Sequence, residues 1–338
     1  FFTTACHKHD EPKPEARTIL VYMVANNSLG HYDYDSDDIT EMLTAAKAKA
    51  FNNGRLIVYR HRYNASQAEL IEVTADGLKT LKNYDINKLS VSSERMSQVF
   101  ADMKRLAPNE HYGLILWSHG SGWLENGVET ASSSGISPLA FGDDERNGSE
   151  NWMNTSVLAQ LTTPVGFDFI YFDCCYMGGI EVMYEMRNST PYIVSSPTEL
   201  PAYGMPYHKN LPLLFQLKPD LVGAAKNTFE TYPTNTYMDV PCSMVVIDCA
   251  AINDLAIATK SLYSRAVSLS SGYAAQYLSS AITCYYFDWE DYVKNIAASE
   301  SDFTTWQTAL NNAILYKATS SHVRYIPITR FGGLSTYI

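Results

Sequence analysis

Hydrophobic positions along this chain fall into short solid blocks separated by stretches of helical spacing. The blocks at Arg17–Ala25 (RTILVYMVA), 54–59 (GRLIVY), 112–117 (YGLILW), 167–172 (FDFIYF), Tyr192–Ser195 (YIVS) and Ser243–Asp248 (SMVVID) are rich in β-branched and aromatic side chains and apolar on both faces. That is the pattern of strands buried between two layers. Between them, residues 37–50 place Ile39, Met42, Leu43 and Ala46 on one helical face. Residues 92–106 read as a helix capped by Ser92 or Ser93 and stopped near Pro108. Residues 154–161, 179–187 and 221–232 read as further helices, and 69–84 as a hairpin around Asp76-Gly77. Helical segments dominate from Ala250 until a strand-like stretch at 325–329, and the last seven residues also read as strand. Strands alternating with helices predict an α/β sandwich. Its central sheet is mostly parallel, with helices on both faces and a mainly helical C-terminal part at 250–320. Residues 124–151 lack periodicity, and a loop of that length inside a compact domain usually carries function.

Composition narrows the choices. Of 338 residues, 46% are hydrophobic, enough for a full core. No apolar run approaches the ~20 residues of a membrane helix. Lys and Arg number 25 against 36 Asp and Glu, a net charge of −11 that argues against nucleic acid as a partner. No GxGxxG or GxxxxGK[ST] follows any strand, which disfavours nucleotide binding. The six cysteines are scattered and form no CxxC pair, so neither a zinc knuckle nor a disulfide scaffold is expected. The 24 tyrosines read as the surface chemistry of an exported protein.

The first residues support export. Phe1-Phe2 reads as the end of a signal core, and Thr3-Thr4-Ala5-Cys6 resembles a bacterial lipoprotein cleavage site. On that reading Cys6 becomes the lipidated N-terminus, residues 7–16 form a solvated tether, and one large domain spans 17–338. The protein is then a cell-envelope lipoprotein or extracellular, touching membrane only through its lipid. A metal-binding tract of Cys6, His7 and His9, or a frayed terminus, are the competing readings.

Candidate chemistry lies at two strand ends, where ligands collect in open α/β sheets. His119 follows the third buried block and Cys175 the fourth, 56 positions later (175 − 119). That separation accommodates a right-handed crossover, which makes the two strands neighbours. A thiol at a strand-to-helix turn gains thiolate character from the helix dipole. The imidazole acts as base, then as acid to the departing amine. The backbone N–H groups of Gly120 and Cys175 offer an oxyanion hole. A serine nucleophile is disfavoured, because Trp117-Ser118-His119-Gly120-Ser121-Gly122 does not match GxSxG at either serine. A metal site of His119, Asp143 and Asp144 stays open as a minor reading.

The pair Ser118-His119-Gly120 and Asp173-Cys174-Cys175-Tyr176-Met177, each after an apolar strand, resembles the clostripain-type cysteine peptidases of the caspase, gingipain and legumain group. Cys174 stands where that family usually has alanine and Tyr176 where it has leucine. Residues 195–204 are similar to the family's third motif, with Pro197 a departure. The resemblance implies a caspase-like three-layer sandwich and an endopeptidase cleaving after Arg or Lys through an acyl-enzyme on Cys175. Asp173, two residues before Cys175, is the expected specificity carboxylate, with Thr198 and Glu199 lining the same pocket. Self-cleavage between His and Cys is expected at Arg146, the one Lys or Arg in that interval. The chemistry needs no cofactor. Calcium is a possibility at the acidic clusters 33–38 and 143–145, although neither has EF-hand spacing. The expected partners are protein or peptide substrates of a monomeric enzyme. A non-catalytic, surface-anchored binding protein on the same fold, or a cysteine amidase or transpeptidase, are the alternatives.

Overall fold

The computed structural model describes residues 17–123, 141–146, 149–232, 241–279 and 286–338. Cys6 and the proposed tether lie outside the described residues, as do Asn147 and most of the loop expected at 124–151.

Among the described residues, nine strands form one sheet: β1 (Arg17–Ala25), β2 (Arg55–Arg62), β3 (Gln67–Thr74), β4 (Gly77–Asp85), β5 (His111–Trp117), β6 (Phe169–Asp173), β7 (Tyr192–Ser195), β8 (Ser243–Asp248) and β9 (Ile314–Thr319). Their spatial order is β9-β8-β7-β6-β5-β1-β2-β3-β4. The central five, from β7 to β2, run parallel, while β3 with β4 and β8 with β9 extend the two edges antiparallel. All nine residues of β1 are buried. Leu20, Tyr22 and Val24 face one helical layer, and Ile19, Val21 and Met23 face the other. The first layer contains α3 (Ser93–Leu106), α4 (Thr155–Thr162), α5 (Ile180–Met186), α8 (Ile252–Tyr263), α9 (Trp289–Ile296) and α10 (Glu300–Ala313). The second contains α2 (Tyr34–Lys47), α6 (Tyr207–Leu214) and α7 (Leu221–Thr231), and a single turn, α1 (Ser28–His31), leads from β1 into α2. The C-terminal helices thus share the core of the first layer.

Chain direction places the chemistry. The sheet grows from β1 to one side through β2 and to the other through β5, so the order reverses between β1 and β5. Such a reversal opens a crevice beyond the carboxyl ends of the strands. Register aligns the two candidate turns. Trp117 pairs with Asp173 across β5 and β6, and His119 and Cys175 each stand two residues beyond those partners. The expected crossover from β5 to β6 therefore delivers both turns to one rim at one height.

Two elements differ from the expectation. The helix α6 carries Pro212 inside it, which in sequence reads as a breaker. Its buried face, Tyr207, Leu211 and Leu214, holds it against the second layer. The strand β9 follows α10 directly and pairs with β8 at the sheet edge. Its residues are mostly half-buried, without clean alternation, so 314–319 read as a continuation of helix. The stretch expected at 325–329 reduces to a two-residue ladder, Ile326–Pro327 against His322–Val323. Near the C-terminus Ser335–Thr336 pairs with Phe287–Asp288, and Ser335 N–H donates to the Gly178 carbonyl beside the Cys175 turn. Among the described residues no helix is long and apolar enough to cross a membrane.

Candidate active site

The turn after β6 carries Cys175 in a constrained backbone. Tyr176, the next residue, has φ +60°, the left-handed region that a bulky side chain rarely adopts. Several contacts hold it there. Tyr176 N–H donates to the Thr198 carbonyl at 2.9 Å. Its hydroxyl donates to Glu199 at 2.9 Å, and its ring stacks on Tyr286 with centroids 4.3 Å apart. Tyr286 in turn donates to the Ser121 carbonyl at 2.5 Å, joining the Cys175 turn to the one carrying His119. Contact between the turns is also direct. A Cβ on Gly120 would lie 2.4 Å from the Cys175 carbonyl oxygen, so only glycine fits.

The turn after β1 holds His119 from the other side. Asn27 caps α1 by accepting from Leu29 N–H at 2.9 Å. Its amide donates to Val24 O, Ser118 Oγ and Asp143 O. Ser118 also donates to Val24 O and accepts from Asp143 N–H, which makes it a buried tie between loops and accounts for its not serving as a nucleophile. Ser28 Oγ lies 2.9 Å from His119 Nε2. In the tautomer whose Nε2–H donates to that hydroxyl, the Nδ1 lone pair is the one available to take a proton. Asn26 completes the turn by donating to Asp144 and to the Glu145 carbonyl.

Between the turns lies a cavity of about 110 Å³ lined by Leu29, Trp117, His119, Asp173, Cys175, Leu200, Pro201, Ala202 and Gly204, among others. Asp173 is buried and accepts from Met205 N–H at 2.9 Å and from the Tyr207 hydroxyl at 3.0 Å. Gly204, at φ +64°, passes so close that a Cβ would lie 2.9 Å from Asp173 Oδ2. Burial pushes the Asp173 carboxyl up to about 7. Asp38 lies behind the wall, accepting from Trp117 Nε1 at 2.6 Å. Burial and the neighbouring Asp173 hold Asp38 well above the usual carboxylate range.

The reacting groups start neutral. Burial pushes the Cys175 thiol up to about 11, against the helix-dipole expectation of a lowered value. Helix α5 begins only at Ile180, and burial outweighs its field. Burial also lowers His119, whose ring stands 6.4 Å from that of Trp152. Cys175 Sγ accepts from Leu200 N–H at 3.3 Å. Cys174 and Cys175 both carry free thiols, and Cys174 is buried in the core.

The structure thus brings His119, Gly120, Cys175 and Asp173 together. It does not bring Thr198 and Glu199 to the cavity. Thr198 is buried with its hydroxyl donating to the Glu199 carbonyl, and Glu199 faces Tyr176 and Arg324. Both support the Tyr176 turn, while Leu200, Pro201 and Ala202 reach the cavity in their place. Arg146 stands apart, its guanidinium donating to the carbonyls of Ile86 and Lys88 and pairing with Asp144 at 3.4 Å. Asp35 pairs with Arg60 and Arg62, Asp38 with Trp117, and Asp144 with Asn26 and Ser90. Among the described residues no group of three or more His, Cys, Asp or Glu is arranged as metal ligands. Sequence reasoning missed Ser28, Asn27 and Asp38. The signal for the first two was present, because Asn-Asn-Ser directly after a buried strand is a capping sequence.

Comparison with known proteins agrees with this geometry. The sequence profile of the clostripain family matches residues 21–333. A secreted cysteine protease from Bacteroides thetaiotaomicron, solved with an irreversible peptide inhibitor, is 29% identical over 96% of this chain and 92% of its own, with a TM-score of 0.80. An inactive zymogen protease from Parabacteroides distasonis is 28% identical over 97% and 93%, also at 0.80. A clostripain from Bacteroides thetaiotaomicron in complex with the peptide inhibitor BTN-VLTK-AOMK is 25% identical over 56% of this chain and 87% of its own, at 0.50. No curated protein sequence matches significantly. With its nine-stranded sandwich and a family match running almost from end to end, the chain belongs to the clostripain family and is a cysteine peptidase.

Proposed function

We propose that this peptidase cleaves after Arg or Lys, with Cys175 as nucleophile and His119 as acid and base. The observation that carries the reading is the buried Asp173 carboxylate in the wall of the cavity that also holds Cys175. A buried carboxylate is costly without a counter-charge, and a substrate guanidinium or ammonium supplies one. The relative bound to BTN-VLTK-AOMK, whose peptide ends in lysine, supports a basic residue at that position.

A protonated thiol and a neutral imidazole fix the sequence of steps. As Cys175 Sγ attacks the scissile carbonyl, its proton passes to His119 Nδ1, while Nε2–H stays on the ring and donates to Ser28 Oγ. The oxyanion meets backbone N–H groups of Gly120 and Cys175. The imidazolium then protonates the departing amine, leaving a thioester. Water attacks that thioester with His119 again as base, which releases the new carboxyl end and restores the thiol.

Self-processing after Arg146 belongs to the same reading and requires its guanidinium to leave Ile86, Lys88 and Asp144. Export and acylation of Cys6 place the enzyme, as a monomer, at the cell envelope.

Coumarin peptides ending in Arg, Lys, Gln or Asp test the specificity. Arg and Lys should exceed Gln by about a hundredfold, and Asp173→Asn should remove that margin. The sign of the pH effect follows from burial. Asp173 is ionised above about 7 and protonated below, so kcat/KM for basic peptides should fall as pH drops from 8 to 6. Gln peptides should lack that limb. On a denaturing gel of the same samples, wild type should run as two fragments and Cys175→Ala as one. A wild type that prefers Gln or Asp refutes the specificity, and identical gels refute the processing.

A further inference from the structure

The mouth of the cleavage cavity continues into a row of aromatic rings of which only Tyr34 packs against the core. Tyr203 stands between Ala202 and Gly204, both of which line the cavity. Its ring meets Tyr34 edge-on with centroids 5.1 Å apart. Tyr34 is 6.4 Å from Tyr32, Tyr32 is 5.0 Å from His31, and His31 is 4.9 Å from Tyr63. His31, Tyr32 and Tyr34 belong to one segment after β1, and Tyr203 and Tyr63 reach them from the segments after β7 and β2, so tertiary packing extends the row at both ends. Tyr32 is 67% exposed and Tyr203 64%. A large ring left that open gains little from folding, yet here several stand in sequence.

We infer that this ridge is a shelf for the substrate chain beside the scissile bond, and that it selects apolar side chains, aromatic and proline above all, a few residues from the cut. The inference rests on the reading that the cavity beside Cys175 is the cleavage site. Three observations support it. The shelf is continuous with that cavity, since Leu29, in the turn that leads to Tyr32, lines the cavity as well. One step of the row, 6.4 Å between Tyr34 and Tyr32, matches the roughly 6.6 Å at which side chains recur on one face of an extended peptide, while the other steps are near 5 Å. Tyrosine also offers a rigid apolar face with a polar tip, at small entropic cost to the partner that covers it.

Cleavage of a peptide library made by digesting a whole proteome tests the shelf, because sequencing the products reads the cut residue and its flanks separately. Wild type should enrich Phe, Tyr, Trp, Leu or Pro at a position two to four residues from the cut, on one side only. Tyr203→Ala and Tyr32→Ala should each reduce that enrichment roughly tenfold, a hot-spot-sized loss, while Tyr203→Phe, which keeps the ring, retains it. Both side chains are exposed, so the variants should fold, and circular dichroism checks that. A flat flanking profile in wild type, or one unchanged in both alanine variants, overturns the shelf. The residue at the cut reports independently on Asp173: a cut after non-basic residues defeats the basic specificity, while the flanks still decide the shelf.

Discussion

The turn that carries His119 is gripped from two sides, and the two grips differ in kind. Against the β6 turn the closest contact is steric, beside the hydrogen bond from Tyr286 to the Ser121 carbonyl. Gly120 presses on the Cys175 carbonyl, Tyr176 is forced to φ +60°, and Tyr286 stacks behind it. Against the β1 turn the grip is made of hydrogen bonds from Asn27 and Ser28. Steric contact is short-ranged and has no compliant direction in a close-packed interior, so it fixes distance. A hydrogen bond fixes direction and, at a ring nitrogen, the position of a proton. One side therefore sets how near imidazole and sulfur stand, and the other sets which nitrogen faces the reaction.

If that division holds, a methyl group added on the steric side should do the most damage. Gly120→Ala places a Cβ 2.4 Å from backbone that has no side-chain freedom to yield. Overpacking of this kind costs about 1–3 kcal/mol, and a 1 Å misplacement of reacting groups about a hundredfold in rate. Gly120→Ala should therefore lose at least about a hundredfold in kcat, with a lowered Tm. Near-normal turnover would show that the steric contact does not set the distance. The hydrogen-bonded side should give way less sharply. Asn27→Ala leaves buried donors and acceptors without partners at about 1–3 kcal/mol each, so Tm should fall by roughly 5 °C. Activity should fall less than in Gly120→Ala, because Ser118 still ties the loop to Val24. A larger activity loss in Asn27→Ala than in Gly120→Ala would reverse the assignment of the two grips.

The two sides also differ in how far they could be read from sequence. The buried strands, and His119 and Cys175 beyond them, are legible because a solid apolar run announces a central strand and a reactive side chain just after it announces a strand-end site. Asp173 is legible for the same reason. Thr198 and Glu199 are misread as pocket residues because their orientation depends on Tyr176, whose left-handed backbone no propensity predicts. Ser28 and Asn27 are present as a turn, but their partners lie about 90 residues away, and a single sequence carries no trace of such pairings. The strand β9 is hidden for an energetic reason. An edge strand buries too little to impose alternation, and its neighbour β8 supplies the pairing.

The smallest effect is the most diagnostic. Ser28→Ala removes one hydroxyl from an exposed position and leaves the backbone turn, the Asn27 cap and the cavity lining in place. A structural role there would predict a change in Tm and little else. The directional role predicts otherwise. Without an acceptor at Nε2 the imidazole samples both tautomers, and only one presents Nδ1 as a base. A lost hydrogen bond of about 1 kcal/mol corresponds to roughly a five- to tenfold fall in kcat, with KM unmoved because Ser28 does not line the substrate cavity. The sign of the pH effect is fixed as well. Ser28 Oγ accepts more strongly from the imidazolium than from the neutral ring, so it favours the charged form. Its removal should shift the acid limb of kcat to lower pH. Ser28→Thr keeps the hydroxyl and should restore both rate and profile. A fall in rate with an unshifted limb, or a threonine variant no better than alanine, would mean that His119 takes its orientation from the steric side alone.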